Sequence, residues 1–473
     1  MSFFLTQCSE RVVWGPPMLL ALLSFGIYLT VRTGFFPLRR AGLIARKTVG
    51  SLGKKRKSTA VRDPHAISPL QAVSTALAAT IGTGNIAGVA TAITLGGPGA
   101  VFWMWVSALF GMMTAFGEHT LGLCYRRRGP LGEWLGGPMY YLEYGLAKKR
   151  GLGRLAKPLA YAFAVCCILA SFGMGNMIQI NTAAKLLETG FTPLLGIRVP
   201  PLATGMLSAF LLGLLLLGGT KRIGQVAERL VPAMALFYLC GTLLVIGKNI
   251  HTLPAVFSAI LRSAFGLKAL GGGVTGTLLL RALSVGVRRG VFSNEAGLGS
   301  SVLAGAAADL KEPVEQGMWG IFTVFFDTIV GCSLTAFTIL SAGVVDLTTG
   351  APRTDAVGAA LVSRAFETTL HPAAGVFITL STLFFALSTV IGWSFFGNRA
   401  VQYLFGTAGQ RLYPYFYMAA ALLGAVYEPE LVWALSDCVN GLMAVPNLIG
   451  LWALSDEILA QIRTYCNRRK THK

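Results

Sequence analysis

The chain contains eleven apolar runs, each long enough or nearly long enough to cross a bilayer: I, 14–34; II, 68–95; III, 98–125; IV, 155–188; V, 200–219; VI, 222–247; VII, 271–308; VIII, 313–343; IX, 371–405; X, 412–427; and XI, 430–460. A spanning helix needs about 20 mostly apolar residues. Inside hydrocarbon every backbone N–H and C=O must be satisfied without water, which leaves helices or closed barrels. The expected fold is therefore an all-α polytopic membrane protein of about 11 transmembrane helices. Several runs exceed one straight crossing, so tilts, breaks or interfacial extensions must absorb the excess. Only 13% of residues are charged, about half the 25% of ordinary soluble domains, which argues against a string of soluble domains. Segments 138–150, 251–266 and 355–368 alternate apolar and polar residues at helical spacing and read as amphipathic loop helices.

The net charge is nonetheless +20. Arg11 alone precedes the first run, and Arg32, Arg39 and Arg40 follow it. That order suits an uncleaved first span with its N-terminus outside. In this topology 31 of the 40 Lys and Arg residues fall in cytoplasmic segments and 8 outside, with Arg281 within span VII. The asymmetry predicts an N-out, C-in chain. The basic run Gly53–Lys57 then reads as an anchor on anionic lipid at the cytoplasmic face rather than a nucleic-acid patch. Eight cysteines occur without metal-ligand spacing and read as small buried hydrophobes.

Spans II–VI and VII–XI number five each, so the second set enters the membrane inverted, as in the repeats of secondary transporters. The organisation expected is a first span and basic cytoplasmic loop over 1–67, a five-helix repeat over 68–247, an inverted five-helix repeat over 271–460, and a basic tail over 461–473.

Three interruptions of the apolar runs could bind a ligand. Span II holds Ala79–Gly88 (ATIGTGNIAG), with three glycines and two threonines around one asparagine. Glycine disfavours helix and permits close backbone approach. A break here would offer amides to a carboxylate and carbonyls to a cation; close helix packing through small residues is the competing reading. Span VII, its inverted counterpart, carries Gly271–Gly273, Gly276, Gly286 and Gly290, giving two possible breaks, near 271–276 or 286–290. In the block Phe292–Gly299, Ser293, Asn294 and Glu295 are read as capping or gating residues. Span IX carries Ser388 and Thr389, whose hydroxyls could complete an oxygen cage for a hard cation such as Na⁺, or bond their own helix's carbonyls. Trp393 shares a face with Thr389 and could wall a small pocket. Intramembrane charges are costly; among them Glu118 and Asp327 could serve coupling by Na⁺ or H⁺, and His119 is read as structural. Gln179 and Asn181 could reach a central site, with Phe172 as an apolar wall. No reactive constellation suggests an enzyme.

These blocks, with Gly137–Tyr141, Gly175–Asn181, Ser388–Trp393, Asn398-Arg399 and Asp437–Met443, resemble the alanine or glycine:cation symporter family, over about residues 14–460. The resemblance implies a leucine-transporter fold with one peripheral span before a 5+5 inverted repeat and broken spans II and VII. It implies uptake of a small neutral amino acid, alanine or glycine and including D-alanine as a competitor, coupled to Na⁺ or H⁺, with no organic cofactor. Carried over by position, Thr80, Gly82, Thr83, Gly84, Asn85, Gln179, Thr389 and Trp393, with Phe172 and Asn181 nearby, are the substrate candidates. Ser388 and Thr389, with carbonyls near Ala79 and Gly82, are the Na⁺ candidates. A bacterial-type inner membrane is the expected location. A non-transporting sensor of the same fold, or a symporter for another small amino acid, are the alternatives; no oligomer is implied.

Overall fold

The computed structural model describes residues 13–52, 63, 65–190, 196, 198–266, 274–427 and 429–471. These are almost entirely helical, with one short hairpin pairing Arg127–Arg128 antiparallel with Trp134–Leu135. The Gly53–Lys57 run and Gly271–Gly273 lie outside the described residues. Among the described residues six helices are long and apolar enough to cross a membrane, and one bent pair makes a seventh. Two further apolar helices are shorter: α1 (Pro16–Arg32) and the segment Pro201–Leu216.

Span II is the bent pair. Its first half, α2 (Pro69–Thr80), starts from a capping box: the Gln71 amide donates to Ser68 Oγ at 3.0 Å, and the Ser68 amide donates to Gln71 Oε1 at 3.1 Å. The helix stops at Ile81, whose backbone is extended. A π-helical turn, Gly84–Gly88, leads into α3 (Val89–Gly96), bent 49° from α2.

The second break lies beyond the 286–290 position read from the glycines; of the 271–276 position only 274–276 are described. Helix α4 (Gly99–Cys124) packs closely against α5 (Val274–Asn294), which runs without interruption through 286–290. Gly286 and Gly290 are contact points of that packing. A Cβ on Gly286 would lie 2.5 Å from the Ala100 carbonyl oxygen and 2.7 Å from Trp103 Cβ. Residues 274–276 are already helical. The helix ends instead at Asn294, and a non-helical stretch, 295–301, precedes the short helix α6 (Val302–Gly305). Its left-handed residues are Glu295 (φ 58), Gly297 (φ 94) and Gly299 (φ 77). Two of the three are glycine, the residue that pays no Cβ penalty there.

The overlong runs are accommodated as expected in kind. Span IV passes through a π-turn at Gly173–Met177 between Gly153–Phe172 and Ile178–Gly190. Span VIII passes through another, Phe325–Cys332, between Pro313–Val324 and Ser333–Ser341. Spans IX and X are the two arms of α7 (Gly375–Val426), which kinks at Gly406 (φ 63, ψ −156). Span XI is shorter than read: α8 (Pro429–Ala453) ends and a separate helix, Ser455–Thr471, begins. The three loop segments read as amphipathic do contain helices, Pro138–Gly145, Leu253–Ala264 and Ala359–Thr369. The cysteines divide: Cys167 and Cys332 are buried, while Cys124 and Cys240 are exposed.

The basic loop after α4 is tied down rather than loose. Arg126 donates to the carbonyls of Ala306 (3.2 Å), Ala308 (2.7 Å) and Leu310 (2.6 Å), closing the chain beyond α6. Arg128 pairs with Asp63, to which Trp134 Nε1 donates at 2.9 Å. The Arg128 guanidinium holds the Asp63 carboxyl down to about 2. This contribution is present above the ordinary carboxylate range and is lost only as pH falls through about 2.

Gly286→Ala should lower the thermal midpoint of the purified protein, by an overpacking cost of about 1–3 kcal/mol. Gly247→Ala, on a helical position with nothing within 4 Å of the new Cβ, should be neutral or stabilising. Equal melting points for the two variants would refute close packing as the role of Gly286.

Candidate functional site

The break in span II leaves backbone amides without helical partners, and side chains supply them. The Gly82 amide donates to Asn85 Oδ1 at 3.0 Å, and the Thr83 amide to Gln179 Oε1 at 3.1 Å. Across from them, Ser388 and Thr389 on α7 both donate to the Ile81 carbonyl, at 3.4 and 3.3 Å. Ser388 also donates to Phe385 of its own helix at 2.9 Å. The two helices can come this close because Gly392 faces the Ala79 backbone: a Cβ there would sit 2.5 Å from the Ala79 nitrogen. Thr389 Oγ1 and Gln179 Oε1 both border Gly82, so three of the sequence-nominated residues meet at one point. The carbonyl shared by both hydroxyls is that of Ile81, lying between the Ala79 and Gly82 carbonyls singled out in the sequence. Thr83 Oγ1 is buried and has no hydrogen-bond partner among the described residues. Gly84 faces the Phe292 ring, whose Cδ1 a Cβ on Gly84 would meet at 3.6 Å.

Asn85 links this break to the second one. Its Nδ2 donates to Asp327 Oδ1 at 2.7 Å, while Asp327 Oδ2 accepts from Ser293 at 2.7 Å and Thr328 at 2.9 Å. Asn294 Nδ2 donates to Thr328 Oγ1 at 3.0 Å, and Asn294 Oδ1 accepts from the Ala296 amide at 3.0 Å. Ser293 thus binds a carboxylate across the helix interface rather than capping its own helix. The Asn85 carbonyl accepts from Thr335 at 2.7 Å, and Thr335 Oγ1 in turn lies 2.6 Å from the Tyr238 hydroxyl. A cavity of about 300 Å³ beside the break is bordered by Ile81, Asn85, Tyr238, Phe326 and Phe385.

At the second break, Glu295 Oε1 accepts from Trp393 Nε1 at 2.9 Å, and Ser300 donates to Oε2. Both Glu295 and Trp393 are fully buried. The indole lies on Gly175, where any Cβ would overlap its ring. Glu118 supports the same segment from α4: Asn447 Nδ2 donates to Glu118 Oε1 at 2.6 Å and to the Gly297 carbonyl at 2.8 Å. His119 sits between Ser301 and Gln316, each 3.2 Å from a ring nitrogen.

Three nominated residues point elsewhere. Asn181 donates to the carbonyls of Gly424 (2.8 Å) and Tyr427 (2.9 Å), pinning span IV to the end of α7. Phe172 packs at a tilt on Tyr413 and Tyr417, with centroids 5.5 and 6.0 Å away. Thr80 Oγ1 donates to the Leu77 carbonyl of its own helix, at 3.5 Å. Reasoning from sequence missed Ile81, which contributes backbone alone. It also missed Thr335 and Asn447, whose signal was a polar side chain inside an apolar run.

Two helix breaks joined through Asp327 interrupt the long packed helices, and the fold is of the leucine-transporter type. The solved structure of MhsT in complex with L-phenylalanine superposes with a TM-score of 0.59, over 84% of this chain and 92% of that one, at 14% identity. At that identity the likeness establishes the fold alone. The model of the sodium:alanine symporter family matches residues 2–473, and the chain belongs to that family. It is 43% identical to the sodium/alanine symporter AgcS of Methanococcus maripaludis, covering 98% of each chain. It is 36% identical to the probable sodium/glutamine symporter GlnT of Bacillus subtilis, covering 98% of this chain and 91% of that one. The protein is thus a multi-pass membrane transporter of the Na⁺-coupled amino acid class and not an enzyme.

Trp393→Phe should leave a buried Glu295 oxygen unpartnered and destabilise the protein by about 1–3 kcal/mol. Combined with Glu295→Ala, the losses should fall short of additive by at least about 0.5 kcal/mol. Strict additivity of the two melting shifts would show that the indole–carboxylate bond carries no energy.

Proposed function

We propose that the chain imports a small neutral amino acid, alanine or glycine, together with Na⁺ by alternating access. The observation that carries this reading is the meeting of Ser388, Thr389 and the Ile81 carbonyl beside the Gly82 and Thr83 amides. Hydroxyl and carbonyl oxygens suit a hard cation. The two amides suit the substrate carboxylate, since the Asn85 and Gln179 oxygens that hold them are acceptors of the same kind. Na⁺ at Ser388, Thr389 and the Ala79–Gly82 carbonyls would bridge α7 to span II and favour closure. Trp393, held by Glu295, would limit side-chain volume on the substrate. Thr83 Oγ1, with no partner among the described residues, is the natural third contact. Asp327 and Glu118 would couple the breaks, transmitting occupancy of span II to span VII; H⁺ in place of Na⁺ remains the variant of the same scheme. The spans are read as two inverted sets of five after a peripheral first span, in an inner membrane, with the N-terminus outside and the basic segments on cytoplasmic anionic lipid.

A second reading for the substrate, glutamine, is favoured by the 36% identity to the probable sodium/glutamine symporter. Trp393 against Gly175 argues for the smaller substrate.

In proteoliposomes an inward Na⁺ gradient should drive accumulation of labelled alanine above equilibrium, with glycine competing and glutamine competing weakly. Uptake that only equilibrates, with or without the gradient, would refute symport, and alanine binding without any uptake would identify a sensor. The double variant Ser388→Ala/Thr389→Ala should raise the Na⁺ concentration for half-maximal uptake at least about tenfold; a wild-type Na⁺ dependence would remove these residues from the cation site. Trp393→Ala should admit larger side chains, and unchanged selectivity would remove Trp393 from the pocket wall.

A further inference from the structure

The Asp437–Met443 block lies on α8, and nothing above gives it a task. Trp433, Ser436, Asn440 and Asn447 follow one another at intervals of three, four and seven residues, so they share a face of that helix. Contacts place the two ends of this face. Trp433 stacks on Phe292, just before the second break, with centroids 5.6 Å apart. Ser436 packs on Gly173 in the π-turn of span IV, its Cβ 3.2 Å from where a Gly173 Cβ would stand. Asn447 holds the Gly297 carbonyl and Glu118. Asn440 lies between these contacts, on the side of α8 that faces the two elements flanking Trp393.

Asn440 is 0% exposed and Ser436 2%. Neither Asn440 Oδ1 nor Nδ2, nor Ser436 Oγ, has a hydrogen-bond partner among the described residues. The other side of the helix is accounted for differently: Trp14 Nε1 donates to the Asp437 carbonyl at 2.8 Å, and Gly441 packs on the Trp14 ring. A buried amide with both polar atoms unmet destabilises a chain relative to an apolar side chain of the same shape. Its presence calls for a partner that brings an acceptor and a donor together. A small zwitterion is such a partner: its carboxylate accepts from Nδ2 and its ammonium donates to Oδ1.

We infer that Asn440, with Ser436 one turn away, is a further substrate-contacting residue, binding the α-amino and α-carboxylate groups of the transported amino acid. This rests on the transport reading above. It makes α8 a wall of the substrate route, beside the π-turn of span IV and the segment at the second break.

The test compares the full-length wild type with Asn440→Leu and Ser436→Ala in proteoliposomes, using alanine, glycine, serine and glutamine, and taking the best-transported one as probe. Leucine keeps the branched shape of asparagine at Cγ and removes both unmet polar atoms. The expected result is a thermal midpoint, without amino acid, equal to or above wild type. The amino acid concentration for half-maximal uptake should rise at least tenfold, with the Na⁺ dependence unchanged. Ser436→Ala should raise it a few-fold. A half-saturation within twofold of wild type for Asn440→Leu overturns the inference. So does a fallen thermal midpoint with unchanged half-saturation, the mark of a packing role. Should Asn440→Leu fail to insert, Asn440→Asp takes its place: its added charge repels a carboxylate, so a tenfold loss supports the inference and an unchanged value overturns it. Wild type that transports none of the four overturns the transport reading and this inference with it. Normal wild-type uptake with an unaffected variant overturns this inference alone.

Discussion

Everything at the centre of this protein follows from one constraint, that a peptide group inside hydrocarbon cannot be left without a hydrogen-bond partner. An intact helix meets it automatically. A helix interrupted at Ile81 or at Glu295 does not, and the surrounding side chains are arranged to make up the difference. Asn85 and Gln179 take the amides of Gly82 and Thr83, while Ser388 and Thr389 take the carbonyl of Ile81. At the second break Asn447 takes the carbonyl of Gly297 and Asn294 the amide of Ala296. Each of these bonds is one that a carboxylate, an ammonium or a cation could replace in kind. The same requirement that keeps the breaks stable therefore makes them chemically ready for a ligand.

The breaks are also joined to each other. Asp327 accepts from Asn85 on one side and Ser293 on the other. Glu295 holds Trp393, which leans on the Gly175 backbone of span IV. Asp327 and Glu295, which these bonds share, are both fully buried. The two segments thus share acceptors, and the acceptors are buried.

Much of this was legible in the sequence, and the failures are instructive. The first break announced itself because Gly82, Thr83, Gly84 and Asn85 interrupt an apolar run with both backbone freedom and replacement polar groups. The second was misplaced because glycine spacing alone cannot distinguish a break from close packing: Gly286 and Gly290 let α5 lie against α4, whereas the break falls where Glu295, Gly297 and Gly299 take left-handed conformations. Ile81 was invisible because it acts through its carbonyl, which carries no side-chain signature. Asn181 looked like a site residue because a polar side chain in a span always does; its actual partners, the carbonyls of Gly424 and Tyr427, are more than two hundred residues away.

The π-turns at Gly84–Gly88, Gly173–Met177 and Phe325–Cys332 have a consequence of their own. Each holds about one residue more than the α-helical path needs, which acts as a phase shift. Beyond it, side chains are rotated by roughly a quarter turn relative to the helix before it. In span IV the turn lies between Phe172, which packs on Tyr413 and Tyr417, and Gln179, which accepts from the Thr83 amide. The faces of these spans are thus set by counting residues as much as by choosing them. A chain that kept every side chain but lost one residue of a π-turn would present a different molecule to its own centre.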